Sequence, residues 1–297
     1  MKSAILFTVG VLAAASAAFR FERDSAAVQT EPASAIGALA NDTPTTAPNF
    51  AGPARSGIRT VMWTRPDGPL KVALQAGHWK ASEAPDEQSG LRTNGTSGGG
   101  KAEWEVNLEI AQRTARLLEE EGYSVEILPT TIPPGYFADV FLSIHADGNA
   151  SSSAAGFRAA APRRDQTGQA EIFSDLLEEH YGAATGLRHY PTVTRRMRGY
   201  YAFNYRRYDH ALHPMTVAAI LETGFLTNPG DRRVIVDDPD RAARGIADAI
   251  NLFLKTMPLE PQLVEIGRNP NRRPWGRRRN RDASREPESV QTPAATE

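Results

Sequence analysis

The sequence predicts an α/β fold in which a sheet of short buried strands is covered on both faces. Three observations carry this. Between Lys71 and Met257, short apolar runs alternate with helical patterns. The segments 103–121 and 240–257 repeat their apolar residues at helical spacing. From Pro258 onward the apolar pattern stops, and a charged, Pro-containing tail takes over. There is no internal repeat.

The strands and helices follow in order. "KVALQ" (residues 71–75) reads as a buried strand that runs into Ala76-Gly77-His78. A polar, Gly-rich loop, "SEAPDEQSGLRTNGTSGGG", comes next. In the helix over 103–121, Trp104, Leu108, Ala111, Ala115 and Leu118 share one face. Glu105, Glu109, Gln112, Arg116 and Glu119 lie on the other, and Gly122 is the expected stop. "SVEIL" (124–128) is a second strand, "DVFLSIHADG" holds a third that ends at His145, and "GFRAAA" (156–161) is a fourth. Residues 169–181 are helical in pattern. Residues 189–214 are irregular and rich in aromatics and arginine. "TVAAILET" is a further strand, and 240–257 is a closing helix with Ala243, Ile246, Ile250 and Phe253 on one face.

The chain has 297 residues, 40% of them apolar, which suits one medium domain with appendages or two small ones. Lys and Arg number 34 against 35 Asp and Glu, so net charge points to no class of partner. The chain has no cysteine. That excludes disulfides, thiolate zinc sites, a cysteine nucleophile and lipoprotein-type attachment, and leaves only His and carboxylate ligands for a metal.

The flanks carry their own expectations. Lys2 precedes an apolar run over 4–19, with small residues at Ala15 and Ala17, the pattern of an export signal. Arg20 and Arg23 follow, so residues 1–20 also read as a retained membrane anchor. Either way the remainder is expected outside the cytoplasm, secreted, periplasmic or wall-associated. Residues 21–69 read as a flexible linker, with "IRTVMW" (58–63) a short strand or an arm packed on the domain. Residues 70–257 form the expected compact domain and 258–297 a disordered tail. The tail carries seven arginines in Arg268–Arg281. It reads either as solubilising or as an electrostatic contact with an anionic wall polymer or membrane surface. The export signal argues against a nucleic-acid partner, and a monomer is expected.

Three strands end in reactive groups, His78, His145 and Glu222. In open α/β sheets the carboxyl ends of the strands form the ligand crevice. Glu103 opens the long helix and projects beside its buried face. Two imidazoles, a carboxylate and an open water position make a known catalytic zinc pattern. Spacing alone leaves the structural alternative open, since a histidine at a strand end commonly packs or contacts substrate. Glu222, a lone charge in "AAILETGFLTN", is by this reasoning a metal ligand, a general base or a structural anchor. His180, His189, His210 and His213 lie in helix-surface or loop contexts and are weaker candidates.

"VALQAGHWK", "EWEVNLEIAQRTARLLEEEGYSVEIL", "ADVFLSIHADG" and "AAILETGFLTNPGD" occur in the order and spacing of the zinc-dependent N-acetylmuramoyl-L-alanine amidases of the amidase-3 group. The resemblance covers about 71–254. It implies a three-layer, twisted, mostly parallel sheet with helices on both faces, of the phosphorylase/hydrolase-like kind. It also implies one zinc ion held by His78, Glu103 and His145, with Glu222 as the catalytic carboxylate. The implied substrate is peptidoglycan, cut between the lactyl group of N-acetylmuramic acid and L-alanine. A zinc-activated water would attack, with Glu222 as general base and acid. Two motifs depart from the family. Gln75-Ala76-Gly77-His78-Trp79 stands for the usual Asp-Pro-Gly-His-Gly, and Glu103-Trp104-Glu105 for Glu-Lys-Asp. Neither removes a ligand, and both mark a divergent branch.

Further expectations attach to neighbouring residues. Asp147 either orients an imidazole or is a turn residue, and Asn228 caps the turn after the strand. Tyr200, Tyr201, Phe203, Tyr205 and Tyr208, with Arg198, Arg206 and Arg207, form either a groove for sugar rings and carboxylates or ordinary aromatic packing. Rival functions are a related zinc carboxypeptidase, a catalytically silent wall-binding or regulatory protein, and a tether acting through the tail.

Overall fold

The computed structural model describes residues 59–260 and 262–266. The expected export signal, the first part of the linker and Arg268–Arg281 lie outside the described residues. In chain order the strands are β1 (Arg59–Trp63), β2 (Lys71–Ala76), β3 (Ser97–Gly98), β4 (Lys101–Ala102), β5 (Ser124–Leu128), β6 (Val140–Asp147), β7 (Arg158–Ala160), β8 (Val217–Phe225) and β9 (Gln262–Ile266). The helices are α1 (Glu103–Glu120), α2 (Ala170–Thr185), α3 (Arg195–Arg198), α4 (Pro229–Ile235) and α5 (Pro239–Thr256).

The central sheet has the order β5-β2-β6-β8-β7, parallel except for β7, which runs antiparallel to β8. β2 and β6 are buried along nearly their whole length, which is why they read as continuous apolar runs rather than alternating ones. The chain leaves β2 through α1 to β5 on one side, then returns to β6 on the other. The strand order therefore reverses between β2 and β6, and ligand crevices open beyond the carboxyl ends at such a switch. His78 and His145 are delivered there.

Val72, Leu74, Val140, Leu142, Ile144, Ala219 and Leu221 face a core shared with α1, α2 and α5. Ala73, Phe141, Ala218 and Ile220 face a second core built with Ile132, Met197, Tyr201, Phe203 and Leu212. This second layer contains α3 and a short 3-10 turn, Tyr201–Phe203. The aromatics expected as a groove are thus largely a core: Tyr201 and Phe203 are buried, and Tyr200 and Tyr208 pack against them. Arg198 pairs with Glu171 at 3.0 Å.

The buried stripe of α1 runs through Glu103, Val106, Asn107, Ile110, Ala111, Thr114, Ala115 and Leu118. Trp104 is 41% exposed and Leu108 only half-buried, so the stripe is rotated from the expected face. The Glu103 carboxylate points inward, and its neighbour Trp104 consequently points out. Gly122, at φ +90°, closes the helix: its N–H donates to Glu119 O and that of Tyr123 to Leu118 O.

Structure extends past both expected domain limits. Arg65, counted with the linker, clamps buried Asp139 through Nε (2.6 Å) and Nη2 (2.9 Å), and the Lys71 N–H donates to the same carboxylate at 2.7 Å. β1 pairs antiparallel with β9, from Arg59 opposite Ile266 to Trp63 opposite Gln262. Among the described residues no helix is long and apolar enough to cross a membrane.

Candidate metal centre

His78 lies two residues beyond β2, with φ +62°, a left-handed backbone that a non-glycine residue adopts only where the surroundings impose it. The Gly77 N–H donates to Ile144 O (2.9 Å), and Asn107 Nδ2 donates to Gly77 O (3.0 Å). Gly77 cannot carry a side chain. A Cβ there would lie 2.4 Å from Cε1 and 2.5 Å from Nε2 of His145. The two imidazoles stand edge to face, with centroids 5.0 Å apart.

Glu103 is held by backbone on both sides. Its N–H donates to Thr96 O at 3.0 Å, and its Oε2 accepts from the Thr96 N–H at 2.9 Å. Glu103 Oε1 lies 3.0 Å from His145 Nδ1 and 3.4 Å from His78 Nε2. His78, Glu103 and His145 each offer a ligand atom, all within 4.8 Å of one another. Glu222 is not a member of that group. It is the cross-strand partner of His145 on one side and of Arg158 on the other.

Burial would raise the Glu103 carboxyl, but the hydrogen bond and charge of His145, with His78 and the Thr96 N–H, hold it below the usual range. Burial opposes charging of His145, yet the Glu103 hydrogen bond and the carboxylates around it push that imidazole up. Burial, abetted by His145, lowers His78 against the pull of Glu103. The cluster therefore holds negative potential that a cation can use. Burial pushes Glu222 up to about 7, with Asp147 and Glu103 adding to the rise and His145 and Arg158 opposing it.

The side chains present fit a zinc ion. Two imidazoles and a carboxylate bring a ligand atom each to within 4.8 Å of one another, the donor set is the nitrogen and oxygen chemistry that zinc takes, and a three-residue set leaves a position for water. Among the described residues this cluster could hold one metal ion.

Asp147 serves neither imidazole. It accepts from Arg158 Nη2, and from the Gly148 N–H at 2.8 Å. Arg158 was missed in the sequence. Its guanidinium is buried, donates to Thr192 O and lies over the ring of Tyr190 (4.9 Å). Its only signal was a lone charge in the apolar run "GFRAAA", the same kind of signal that singled out Glu222. Asn228 caps α4, its Oδ1 accepting from the N–H groups of Gly230 (2.7 Å) and Asp231 (3.1 Å). Gln75, at the usual Asp position, is fully buried. It donates to Thr130 O and accepts from Ser143 Oγ (2.7 Å) and Tyr200 OH (3.0 Å). Tyr200 in turn stands edge-on to His145, at 5.6 Å.

Residues 72–252 match the family described as N-acetylmuramoyl-L-alanine amidase. The N-acetylmuramoyl-L-alanine amidase LytC of Bacillus subtilis (strain 168) is 28% identical over 177 residues, covering 55% of this chain and 33% of LytC. The chain thus spans about a third of the length of that relative. Among solved structures, AmiC2 of Nostoc punctiforme aligns with a TM-score of 0.46 and 19% identity, covering 64% of this chain and 99% of AmiC2. The catalytic domain of CwlV from Bacillus (Paenibacillus) polymyxa var. colistinus aligns with a TM-score of 0.40 and 22% identity, covering 63% and 99%. The family match extends over more than half of the chain and includes both histidines and both glutamates described above, so the chain belongs to the N-acetylmuramoyl-L-alanine amidase family.

Proposed function

We propose that this chain is an exported, zinc-dependent peptidoglycan amidase that hydrolyses the amide between the lactyl group of N-acetylmuramic acid and the L-alanine of the stem peptide. The observation that carries the reading is the convergence of His78, Glu103 and His145, with Glu222 in register beside His145. His78, Glu103 and His145 would hold the ion. When bound, zinc supplies Lewis acidity toward the scissile carbonyl and acidifies a water molecule.

Glu222 then moves the proton. In the metal-free protein, burial pushes its carboxyl up to about 7, into the range where a carboxylate can exchange a proton near neutral pH. It can take a proton from the attacking water and deliver it to the departing amine nitrogen. Arg158, its cross-strand neighbour, favours the ionised form that accepts the proton. The Gln75–Tyr200 hydrogen bond holds an aromatic edge against His145 and limits the ring's rotation.

The test is digestion of purified peptidoglycan by wild type and Glu222→Gln, with zinc content measured on both. Wild type is expected to release stem peptides beginning with L-Ala. Glu222→Gln keeps zinc and fold but loses about 100-fold or more in kcat, the contribution of a positioned acid–base group. Loss of zinc from that variant would make Glu222 a ligand. Release of only a terminal residue by wild type would identify a carboxypeptidase.

A further inference from the structure

An open cavity of about 540 Å³ lies against the metal centre and includes His78 and Glu103 in its wall. Trp79 and Trp104 are the two tryptophans in its wall. Each tryptophan directly follows a member of the metal cluster, and each stands where this chain departs from its family's motif. Both are anchored through the backbone. The Trp79 N–H donates to Ala76 O (3.2 Å) and its carbonyl accepts from the Thr130 N–H (2.8 Å). Trp79 also sits between two left-handed residues, His78 and Lys80, which fixes the path of the loop. Trp104 is carried by the first turn of α1, where Glu105 accepts from the Ala102 N–H at 2.7 Å. Trp104, 41% exposed at the start of this helix, makes no aromatic or cation–π contact among the described residues, which leaves indole surface for a ligand.

The charges in the cavity balance. Lys80 lies over the Trp79 ring at 5.0 Å, and Arg92 is committed to Ala84 O (2.8 Å) and Asp86 (2.9 Å). Glu83 adds a negative charge to the same wall. Apart from the metal ion itself, a peptide bearing several carboxylates finds among the side chains of this wall only Lys80 without an acidic partner. A neutral, flat-faced ring finds the exposed indole of Trp104 and a second indole, Trp79, that carries Lys80 over one face. Of the two arms that meet at the scissile amide, the glycan arm has that chemistry.

We propose that Trp79 and Trp104 form a glycan subsite beside the metal centre, stacking on pyranose rings of the strand whose lactyl amide is cut. The inference rests on the peptidoglycan reading above for its substrate. It adds that sugar recognition is built from the two residues adjoining the metal cluster, and that the aromatic segment 200–208 serves chiefly as core.

The test uses the full chain loaded with zinc and the variants Trp79→Ala, Trp104→Ala and Trp104→Phe. The binding probes are N-acetylchitotetraose, which has sugar rings and no peptide, and the dipeptide L-Ala-γ-D-Glu, which has carboxylates and no sugar. Wild type should bind the oligosaccharide with a change in tryptophan fluorescence. Each alanine variant should weaken that binding, and raise KM on peptidoglycan, about 30-fold, as removal of an anchoring tryptophan does. Zinc content should stay equal, and Trp104→Phe should recover most of the binding. If Trp79→Ala fails to fold, the exposed Trp104 carries the test alone. Unchanged oligosaccharide binding in Trp104→Ala, or a loss confined to the dipeptide, would overturn the proposal. Trp-dependent oligosaccharide binding by a wild type that releases no L-Ala-initiated peptide would uphold the subsite and reject the amidase reading.

Discussion

Gly77→Ala tests how tightly the metal centre is built. The added methyl carbon would sit 2.4, 2.5 and 2.6 Å from Cε1, Nε2 and Nδ1 of His145. Carbon contacts are comfortable near 3.5 Å, so the ring must retreat by about 1 Å. The glycine cannot move instead, because its N–H and carbonyl are tied to Ile144 and Asn107. His145 is itself tied to Glu103 and faced by Tyr200. Metal sites tolerate displacements of only about 0.2 Å, a fifth of that retreat. Zinc affinity should fall roughly 100-fold, at the upper end of what loss of a ligand-orienting contact costs. The overpacking should also lower stability by about 1–3 kcal/mol. Competition with a chromophoric chelator reads the affinity, and thermal melting reads the stability. Gly90→Ala, where an added Cβ meets nothing within 4 Å, is the control. A Gly77→Ala protein that binds zinc as tightly as wild type would refute the packing argument.

Two further outcomes follow from the same geometry. Burial raises the folded-state carboxyl of Glu222 from its ordinary 4.5 to about 7, so this group stabilises the metal-free fold while protonated. The contribution is complete below about pH 4.5 and is lost as pH rises through about 7, a swing of about 3 kcal/mol. The stability difference between metal-free wild type and Glu222→Gln should therefore shift against wild type from pH 5 to pH 8, and a constant difference in denaturant titrations would contradict it. Asp231→Ala strips the acceptor from the buried N–H groups of Gly156 (2.7 Å) and Phe225 (2.8 Å), the anchors of the loop before β7 and the end of β8. Unfolding free energy should drop by about 3 kcal/mol or more, and a loss under 1 kcal/mol would show that water replaces the carboxylate.

The chemistry-bearing ends of three strands were legible because buried parallel strands are uniformly apolar. Within β2, β6 and β8, a polar group at the carboxyl end stands out against its own run. His78, His145 and Glu222 are candidates on that ground, and Glu103 by its place at the start of a periodic helix; the fold brings His78, Glu103 and His145 together. Arg158 carried the same signal but opens β7 within the run "GFRAAA", and nothing local indicates that its partner is Asp147 on a different strand. Trp104 was assigned to the wrong side of α1. Apolar spacing could not register that Glu103, the residue before it, is drawn inward by two imidazoles. β9 was overlooked because its pairing partner, β1, lies about two hundred residues away in sequence.

By itself, then, the sequence determined the α/β class, the strands that end in reactive groups and the ligand chemistry open to a chain without cysteine. These are local consequences of apolar periodicity and side-chain type. Only the tertiary structure decided that β2, β6 and β8 lie side by side, that His78, Glu103 and His145 converge with Glu222 in register beside His145, and that the aromatic segment 200–208 covers the sheet while two tryptophans line the cavity. Those outcomes depend on strand order and on the burial of charges against distant partners. Both arise from contacts between residues that are far apart along the chain.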